Sequence, residues 1–322
     1  MLLRHVMEIT DLVDRPDAAG NVVADRIRSR GTAVVSVTEV RGGHGATDFV
    51  KILISGSHGK SQAGNAPTLG VIGRLGGLGA RPAAIGMVSD GDGAVAALAA
   101  ALKLTEMSAA GDRLPGDVII ATHICPNAPT QPHEPVPFMG SPVDTATMNR
   151  YEVDPAMDAI LSIDTTKGNR VINVRGFAIS PTVKQGWILQ VSEDLLDVMQ
   201  AVTGRLPAVL PITMQDITPY GNGVHHLNSI LQPSVATDAP VVGVAITSEV
   251  PVAGSATGAS HPTDIEEAAR FAVEVAKSFT AGKCHLFHPA HLERLKQLYG
   301  SMARLQQPLS AEPSVHQAVP TA

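Results

Sequence analysis

The sequence predicts an α/β protein with a mixed, mostly parallel central sheet and helices on both faces, in a three-layer αβα arrangement. Short runs rich in β-branched residues alternate along the chain with segments of helical periodicity, as expected for parallel strands covered by helices. Thirty glycines and 23 prolines among 322 residues suit tight turns and close helix–strand packing.

The individual elements follow from periodicity and from the residues that end each run. The expected strands are 32–40, 48–56, 82–90, 117–124, 159–164, the first part of 186–204, and 239–247. The expected helices are 3–30, broken near Arg15, a short one within 61–82, then 93–111, the rest of 186–204, and 263–281. We expect a single domain over residues 1–305 and a flexible tail over 306–322, which is rich in Pro, Ser and Ala.

Composition excludes several classes of function. A formal net charge of -6 without a long basic cluster argues against nucleic acid as the main partner. No apolar run approaches the ~20 residues that span a bilayer, so we expect no membrane segment. The two cysteines, Cys125 and Cys284, make no disulfide framework, and together with an acidic N-terminus unlike a secretory signal they predict a cytoplasmic location.

The stretch "ISGSHGKS", residues 54–61, has the Gly-Lys-Ser of a phosphate-binding loop. The full loop needs a glycine five positions before its second one, and here that position is Ile54. Gly64 and Pro67 then fall where the phosphate-binding helix would begin, and both residues are unfavourable inside a helix. An ATP-dependent ligase using Gly56 to Ser61 is therefore the weaker alternative.

A stronger pattern is a set of metal-binding residue types at the ends of predicted strands or just before helices. Chemistry in open α/β sheets collects at the carboxyl ends of the strands. Imidazole and carboxylate groups are ligands that suit zinc, manganese or cobalt. The residues with this placement are His58, Asp90, His123, Asp164 and His261.

The order and context of these residues resemble the co-catalytic, two-metal aminopeptidase and carboxypeptidase superfamily. The resemblance covers about residues 5–280 and rests on several stretches taken together. These are "ILISGSH", "SDGDGAVAALAAALKL", "PGDVIIATHICP", "MDAILSIDTT" and the long segment from "PVVGVAITSEV" to "EVAKSF".

The resemblance implies a role for each matching position. It would make His58 a ligand to one metal, Asp90 the bridging ligand, Asp164 a ligand to one metal and His261 a ligand to the other. One departure is Lys60, which stands where the family usually has an aspartate that orients the histidine ring.

The larger departure is the loss of the family's Glu-Glu pair, which supplies a general base and a ligand. Cys125-Pro126 occupies that place, so that His123 or Cys125 could replace the ligand. Asp92, Glu134 and the pair His225-His226 are the candidates for proton transfer.

The sequence therefore predicts a metal-dependent hydrolase of a small amide, peptide or cyclic amide bond. One or two divalent ions per subunit, Zn²⁺ or else Mn²⁺ or Co²⁺, would activate a water molecule. A non-catalytic ligand-binding or assembly member of the same fold is the alternative, because the acidic pair is missing. The expected partner is a small molecule or short peptide, and the resemblance also implies a homo-oligomer.

Overall fold

A mixed sheet organises the chain, and its four central strands are parallel. The computed structural model describes residues 2–74, 86–132, 134, 138–219, 229–251 and 260–306. The strands within these ranges are β1 Val34–Gly42, β2 Gly45–Ile54, β3 Leu69–Gly73, β4 Val118–Ile124, β5 Thr130–Gln131, β6 Phe138–Met139, β7 Ala159–Thr165, β8 Gly176–Ile179, β9 Val183–Lys184, β10 Trp187–Ile188 and β11 Val241–Thr247.

The strand order explains which ends of the strands meet. The order in the main sheet is β1-β2-β4-β3-β7-β11-β9-β10, with β8 also paired to β11, whereas β5 and β6 form a separate pair. Strands β4, β3, β7 and β11 run parallel, and the hairpin β1-β2 joins them through an antiparallel contact between β2 and β4. We call the edge at which the four parallel strands end the carboxyl edge, and the opposite one the amino edge.

Helices cover both faces of the sheet, which confirms the predicted fold class. Their bounds are α1 Leu3–Val13, α2 Gly20–Arg28, α3 Asp92–Ala109, α4 Thr145–Glu152, α5 Glu193–Thr203, α6 Met214–Ile217, α7 Pro262–Thr280 and α8 Pro289–Tyr299. On the first face, α1, α2, α3, α5 and α7 share one large apolar core with the sheet. On the second face, α4 and α6 with several irregular segments cover two smaller apolar clusters.

The Ala-rich helix is the centre of the first face. Helix α3 packs against the sheet on one side and against α1 and α7 on others, so even the alanines between Ala94 and Ala101 are fully buried. An apolar residue on every side of a helix is expected when the helix is enclosed all round. The segment 93–111, predicted as a helix from its high-propensity residues, is therefore also the innermost helix of the first face.

Two predicted elements differ from the structure. We expected a short helix within 61–82, but this segment holds a single 3₁₀ turn, Lys60–Gln62, and then strand β3. We expected a strand over 82–90, but residues 89–91 form a 3₁₀ turn, and 82–85 lie outside the described residues. Glycines within the run Leu69–Gly73 concealed a β strand that is buried along its whole length.

Within the described ranges, no helix has the length and apolar character needed to cross a membrane. The predicted tail from residue 306 lies outside these ranges from 307 onward. Gln306 itself is fixed, because its side-chain amide donates hydrogen bonds to the carbonyl oxygens of Ser234 (3.2 Å) and Thr237 (2.6 Å).

Candidate active site at the carboxyl edge

Helix α3 begins directly against the carboxyl edge of the sheet. Gly93, its second residue, makes this possible, because a Cβ there would lie 2.1 Å from the carbonyl oxygen of Arg74 at the end of β3. The close approach places Asp90 and Asp92 beside the end of β7, where Asp164 lies. Three residues predicted for the site are thus brought together.

Asp90 and Asp164 are buried carboxyl groups that act on each other. Burial raises the pKa of Asp90 well above its ordinary value, and the charges of Asp164 and Asp92 raise it further. Burial likewise raises the pKa of Asp164 to about 6, although hydrogen bonds from the Ser229 hydroxyl (2.6 Å) and the Thr165 amide (2.7 Å) oppose the shift. Within the described part of the chain, neither carboxylate makes an ion pair.

Asp92, by contrast, is held on both sides. Lys167 Nζ forms an ion pair with one of its carboxylate oxygens, and the Ser260 hydroxyl donates to the other at 2.5 Å. Burial still raises the pKa of Asp92, with Lys167 as the largest opposing influence. Lys167 has a positive φ of 51°, which side-chain-bearing residues rarely adopt, so the backbone is strained where it directs this charge inward.

We call Asp90, Asp92 and Asp164 the carboxylate cluster. His261 borders this cluster from the start of helix α7. It is the N-cap residue of that helix, half of its side chain is exposed, and its Nδ1 lies 3.2 Å from Asp264. Its charge, when present, acts on Asp92. Helices α3 and α7 therefore both begin at this edge, and the partial positive charge of a helix N-terminus favours anions there.

A second network, in which a buried arginine and a buried glutamate form an ion pair, lies next to Asp164. Arg74 follows β3 and is completely buried; its Nε lies 2.9 Å from Glu152 Oε2, and its Nη2 donates to Asn149. Glu152 Oε1 lies 2.8 Å from His123 Nδ1. The prediction placed His123 among metal ligands, but the structure pairs it with a carboxylate of α4 in this network.

His58 is the clearest correction among the predicted residues. Strand β2 runs antiparallel to β4, and Ile54 at its end pairs with Val118 at the start of β4. The His58 amide accordingly donates to the carbonyl of Pro115, in the segment that precedes β4. His58 lies at the amino edge, so the expectation that it shares a site with Asp90 and Asp164 is wrong.

The phosphate-loop alternative fails for a local reason. The side chain of Asp117 accepts hydrogen bonds from the amides of Gly56 (2.9 Å) and Ser61 (2.7 Å) and from the Ser61 hydroxyl (2.8 Å). Lys60 Nζ lies 2.7 Å from Asp158 Oδ1. The loop is folded around the chain's own carboxylate, and these donors are not available to a phosphate.

Cys125 lacks the properties of a nucleophile. It is buried, burial raises its pKa to about 11, and its Sγ lies 3.7 Å from the carbonyl oxygen of Ala46. An activated thiol shows the opposite shift. His225 and His226 lie outside the described residues, so their predicted role in proton transfer stays a prediction.

Several residues that shape the site were not predicted from the sequence. Lys167 follows Asp164 by three positions and Arg74 ends a strand, but only the fold shows which acids they neutralise. Among the described residues, no group of three or more His, Cys, Asp or Glu side chains is arranged to hold a metal ion. The described part of the site offers instead two unpaired carboxylates flanked by residues that carry their own partners.

Two of the solved structures that share this fold are enzymes. One is "Bottromycin maturation enzyme BotP in complex with Mn", with a TM-score of 0.52 and 18% identity, covering 87% of this chain and 71% of that one. The other is a leucine aminopeptidase (LAP1) from Caenorhabditis elegans, with a TM-score of 0.52 and 12% identity, covering 88% of this chain and 66% of that one. This chain thus spans just under two thirds of the leucine aminopeptidase. At these identities the likeness concerns the fold, and it confirms the predicted aminopeptidase-like architecture.

Sequence comparison adds a family but no activity. None of the curated proteins matches the chain. The sequence model of a family described as "Protein of unknown function (DUF1177)" matches residues 38–308.

Proposed function

Because the chain belongs to the DUF1177 family, whose description assigns no activity, we propose its function from the site itself: a metal-dependent hydrolase of a small amide or peptide bond. The observation that carries the proposal is the buried pair Asp90 and Asp164, two carboxylates at the carboxyl edge that form no ion pair with a described residue. In this fold class, that edge is where substrates and catalytic groups are expected.

Charge balance supports a divalent ion at this place. Four buried acids lie in the cluster and the adjoining network, and two buried cations compensate two of them. Arg74 pairs with Glu152 and Lys167 with Asp92, so the two charges that Asp90 and Asp164 carry when both are ionised form no ion pair with a described cation. Carboxylate oxygens are ligands for Mn²⁺, Mg²⁺ and Zn²⁺, and one such ion would match the remaining charge. The carboxylate oxygens and their charge therefore fit a divalent ion, and Asp90 and Asp164 are the two ligands that the described residues supply.

The chain's own residues would divide the work around the ion. Asp90 and Asp164 would hold it, while Ser229 fixes one oxygen of Asp164 and the Thr165 amide fixes the other. A bound divalent ion would polarise the substrate carbonyl and make water a better nucleophile at neutral pH. Lys167 supplies a fixed positive charge close to the site, which favours a reaction that develops negative charge on oxygen.

His261 is suited to move a proton at the solvent side of the site. Its Nδ1 faces Asp264 at 3.2 Å, and this contact orients the ring. Its Nε2 makes no hydrogen bond with another described residue, and half of the side chain is open to solvent. An oriented histidine with one accessible nitrogen is a usual general acid or base near neutral pH.

The structural relatives agree with this proposal without deciding it. BotP is described in complex with Mn, and the other relative is a leucine aminopeptidase. We propose by analogy that this protein also acts on a small or short peptide substrate. The homo-oligomer and the cytoplasmic location stay predictions from the sequence.

Metal binding and turnover test the proposal together. Purified protein is stripped with a chelator, and Mn²⁺, Zn²⁺ and Co²⁺ are then titrated while bound metal and the melting temperature are measured. We expect about one or two ions per chain, a rise in melting temperature, and metal-dependent cleavage within a panel of dipeptides and cyclic amides followed by mass spectrometry. Asp90→Asn with Asp164→Asn should abolish all three effects.

The matched control is Asp112→Asn, which removes an exposed acid far from the cluster and should bind metal like the wild type. A protein that binds no divalent ion, or whose binding survives the double substitution, would contradict the proposal. Metal binding without turnover across the whole panel would instead favour a non-catalytic, ligand-binding member of the fold.

A further inference from the structure

A cleft of about 1030 Å³ opens on the second face of the sheet, away from Asp90 and Asp164. Its outer part is lined by residues that precede β7 and β11 at the amino edge, among them Asp158 and Asp238. Its inner wall includes Asn149 of α4 and Gln232, which begins a 3₁₀ turn. A cleft of this volume is large enough for a small organic ligand.

The cleft is distinct from the candidate active site. Asn149 lines it and accepts a hydrogen bond from Arg74, which is fully buried and does not reach the cleft. Arg74 in turn acts electrostatically on Asp164. The Asn149–Arg74 contact therefore stands between the cleft and the carboxylate cluster.

Gln232 gives the inner wall an unsatisfied hydrogen-bond acceptor. Its side chain is fully buried, and its Nε2 donates to the carbonyl oxygen of Thr218 at 2.9 Å. That bond fixes the orientation of the amide, and Oε1 then has no hydrogen-bond partner. Leaving a buried acceptor unpaired costs free energy, so a ligand with an N–H group would gain by meeting it.

Four charged side chains line the cleft and their charges sum to zero, but one of them has no partner among the described residues. Lys60 pairs with Asp158, and Lys184 lies near Asp238 and donates to its backbone carbonyl. The remaining charged lining residue is Arg150, whose exposed side chain makes no hydrogen bond or ion pair with a described residue. The unpartnered guanidinium of Arg150 thus favours a ligand that brings one negative charge to the opening.

We propose that this cleft is a second binding site, for a small ligand that combines one amide N–H with one carboxylate. An N-acylated amino acid and the carboxyl end of a short peptide both have this chemistry. The apolar lining residues Val153, Met157 and Ala239 would contact the side chain of such a ligand. The carboxylate would meet Arg150 at the opening, and the N–H would reach Gln232 Oε1 when the inner wall, which covers that atom, is displaced. The inference does not depend on the proposed hydrolase function.

Calorimetric titration with N-acetyl-leucine tests the site. Two altered ligands, each lacking one of the two groups that the site is proposed to recognise, serve as comparisons. N-acetyl-leucine should bind saturably with one site per chain. Its carboxamide lacks the charge and should bind about tenfold more weakly, and its N-methyl form lacks the N–H and should bind about fivefold more weakly. These ligand-side changes need no protein variant, so they stay informative if a variant fails to fold.

Two variants assign the contacts. Arg150→Gln should weaken N-acetyl-leucine but leave the carboxamide unchanged, because only the former has the carboxylate. Gln232→Leu should remove the difference between N-acetyl-leucine and its N-methyl form. Arg41→Gln is the matched control, since it removes another exposed arginine, on β1, and should change neither affinity.

The proposal is overturned if neither ligand modification changes affinity, or if N-acetyl-leucine does not bind at millimolar concentration. Binding that is lost in the Asp90→Asn, Asp164→Asn variant but kept in Arg150→Gln would place the ligand at the carboxyl edge and also overturn it. If the ligand binds to a chain shortened after Gln306 but not to the full chain, the C-terminal segment of the full chain competes for the cleft. That result would overturn the proposal of a site for a free ligand.

Discussion

Buried carboxylates at the two edges of the parallel strands differ in the partners that surround them. At the amino edge, Asp117 is surrounded by donors from Gly56 and Ser61, three hydrogen bonds in all. At the carboxyl edge, Asp90 and Asp164 face each other without an ion-pair partner among the described residues. At both edges an aspartate lies at the end of a buried strand or near one, so its position does not reveal its role. The hydrogen-bond and ion-pair partners distinguish an aspartate that stabilises the fold from one that is a candidate for catalysis.

The largest expected effect concerns the network that separates Asp164 from the second face. Arg74→Met should lower the free energy of unfolding by about 3–5 kcal/mol, because it leaves the buried charge of Glu152 without its cation. Urea denaturation followed by circular dichroism measures the change. Arg74→Met combined with Glu152→Gln should recover part of the loss, since no unpaired charge then remains.

The exposed pair of Arg41 and Glu39 provides the comparison for this measurement. Arg41→Met also removes an arginine from an ion pair, but water surrounds that pair, so about 0.5 kcal/mol or less should be lost. If Arg74→Met costs no more than Arg41→Met, the compensated network does not stabilise the carboxyl edge as described.

The second effect has the opposite sign and depends on pH. The pKa of Asp164 is raised to about 6 in the folded protein, against about 3.9 for an unperturbed aspartate. The folded state therefore holds this proton more tightly, and the stability of the metal-free protein should fall as pH rises from about 4 to 6, by about 3 kcal/mol in total. Asp164→Asn cannot ionise. Its amide nitrogen cannot accept one of the two hydrogen bonds from Ser229 and Thr165, which costs about 1 kcal/mol, but at pH 8 in the presence of a chelator the variant should still be more stable than the wild type.

Denaturation curves at pH 4.5 and pH 8 decide the matter. The advantage of Asp164→Asn should be large at pH 8 and nearly absent at pH 4.5, and added Mn²⁺ should reduce it by stabilising only the wild type. An Asp164→Asn protein that is less stable than the wild type at pH 8 without metal would show that the carboxylate is compensated after all.

The amino edge should give the reverse result with the same substitution. Asp117→Asn replaces an acceptor that binds three donors by an amide whose nitrogen cannot accept, and about 2 kcal/mol of stability should be lost. The loss should persist at pH 8 and should not respond to Mn²⁺. Equal responses of the two asparagine variants to metal would remove the distinction between the edges.

The two edges also show which site residues could be predicted from the sequence alone. Asp164 and His261 were predicted because each adjoins a parallel strand or its following helix, where the rule about carboxyl ends applies. His58 was misassigned because the same rule was applied to β2, which the hairpin reverses relative to β4. The direction of a strand in the sheet is set by tertiary pairing, and the residues that precede it do not encode it locally.

The partners of the acids were beyond sequence reasoning for a related reason. Lys167 and Asp92 are 75 residues apart, and Ser260 lies 168 residues from Asp92. Glu152 reaches Arg74 only because α4 packs on the second face. Composition and periodicity identify buried strands and helices, but which charge meets which depends on contacts between distant segments.

The smallest expected effect concerns Cys125, which follows β4 at the carboxyl edge but does not take part in the cluster. With a pKa of about 11, only about one thiol in a thousand is ionised at pH 8, and burial limits access further. A thiol reagent should therefore find almost no reactive cysteine in the native protein and two in denaturant, since the pKa of Cys284 is raised to about 12. Cys125→Ala should change the free energy of unfolding by about 1 kcal/mol or less and keep metal binding intact. Rapid labelling of native Cys125, with loss of metal after its substitution, would return this residue to the candidate site.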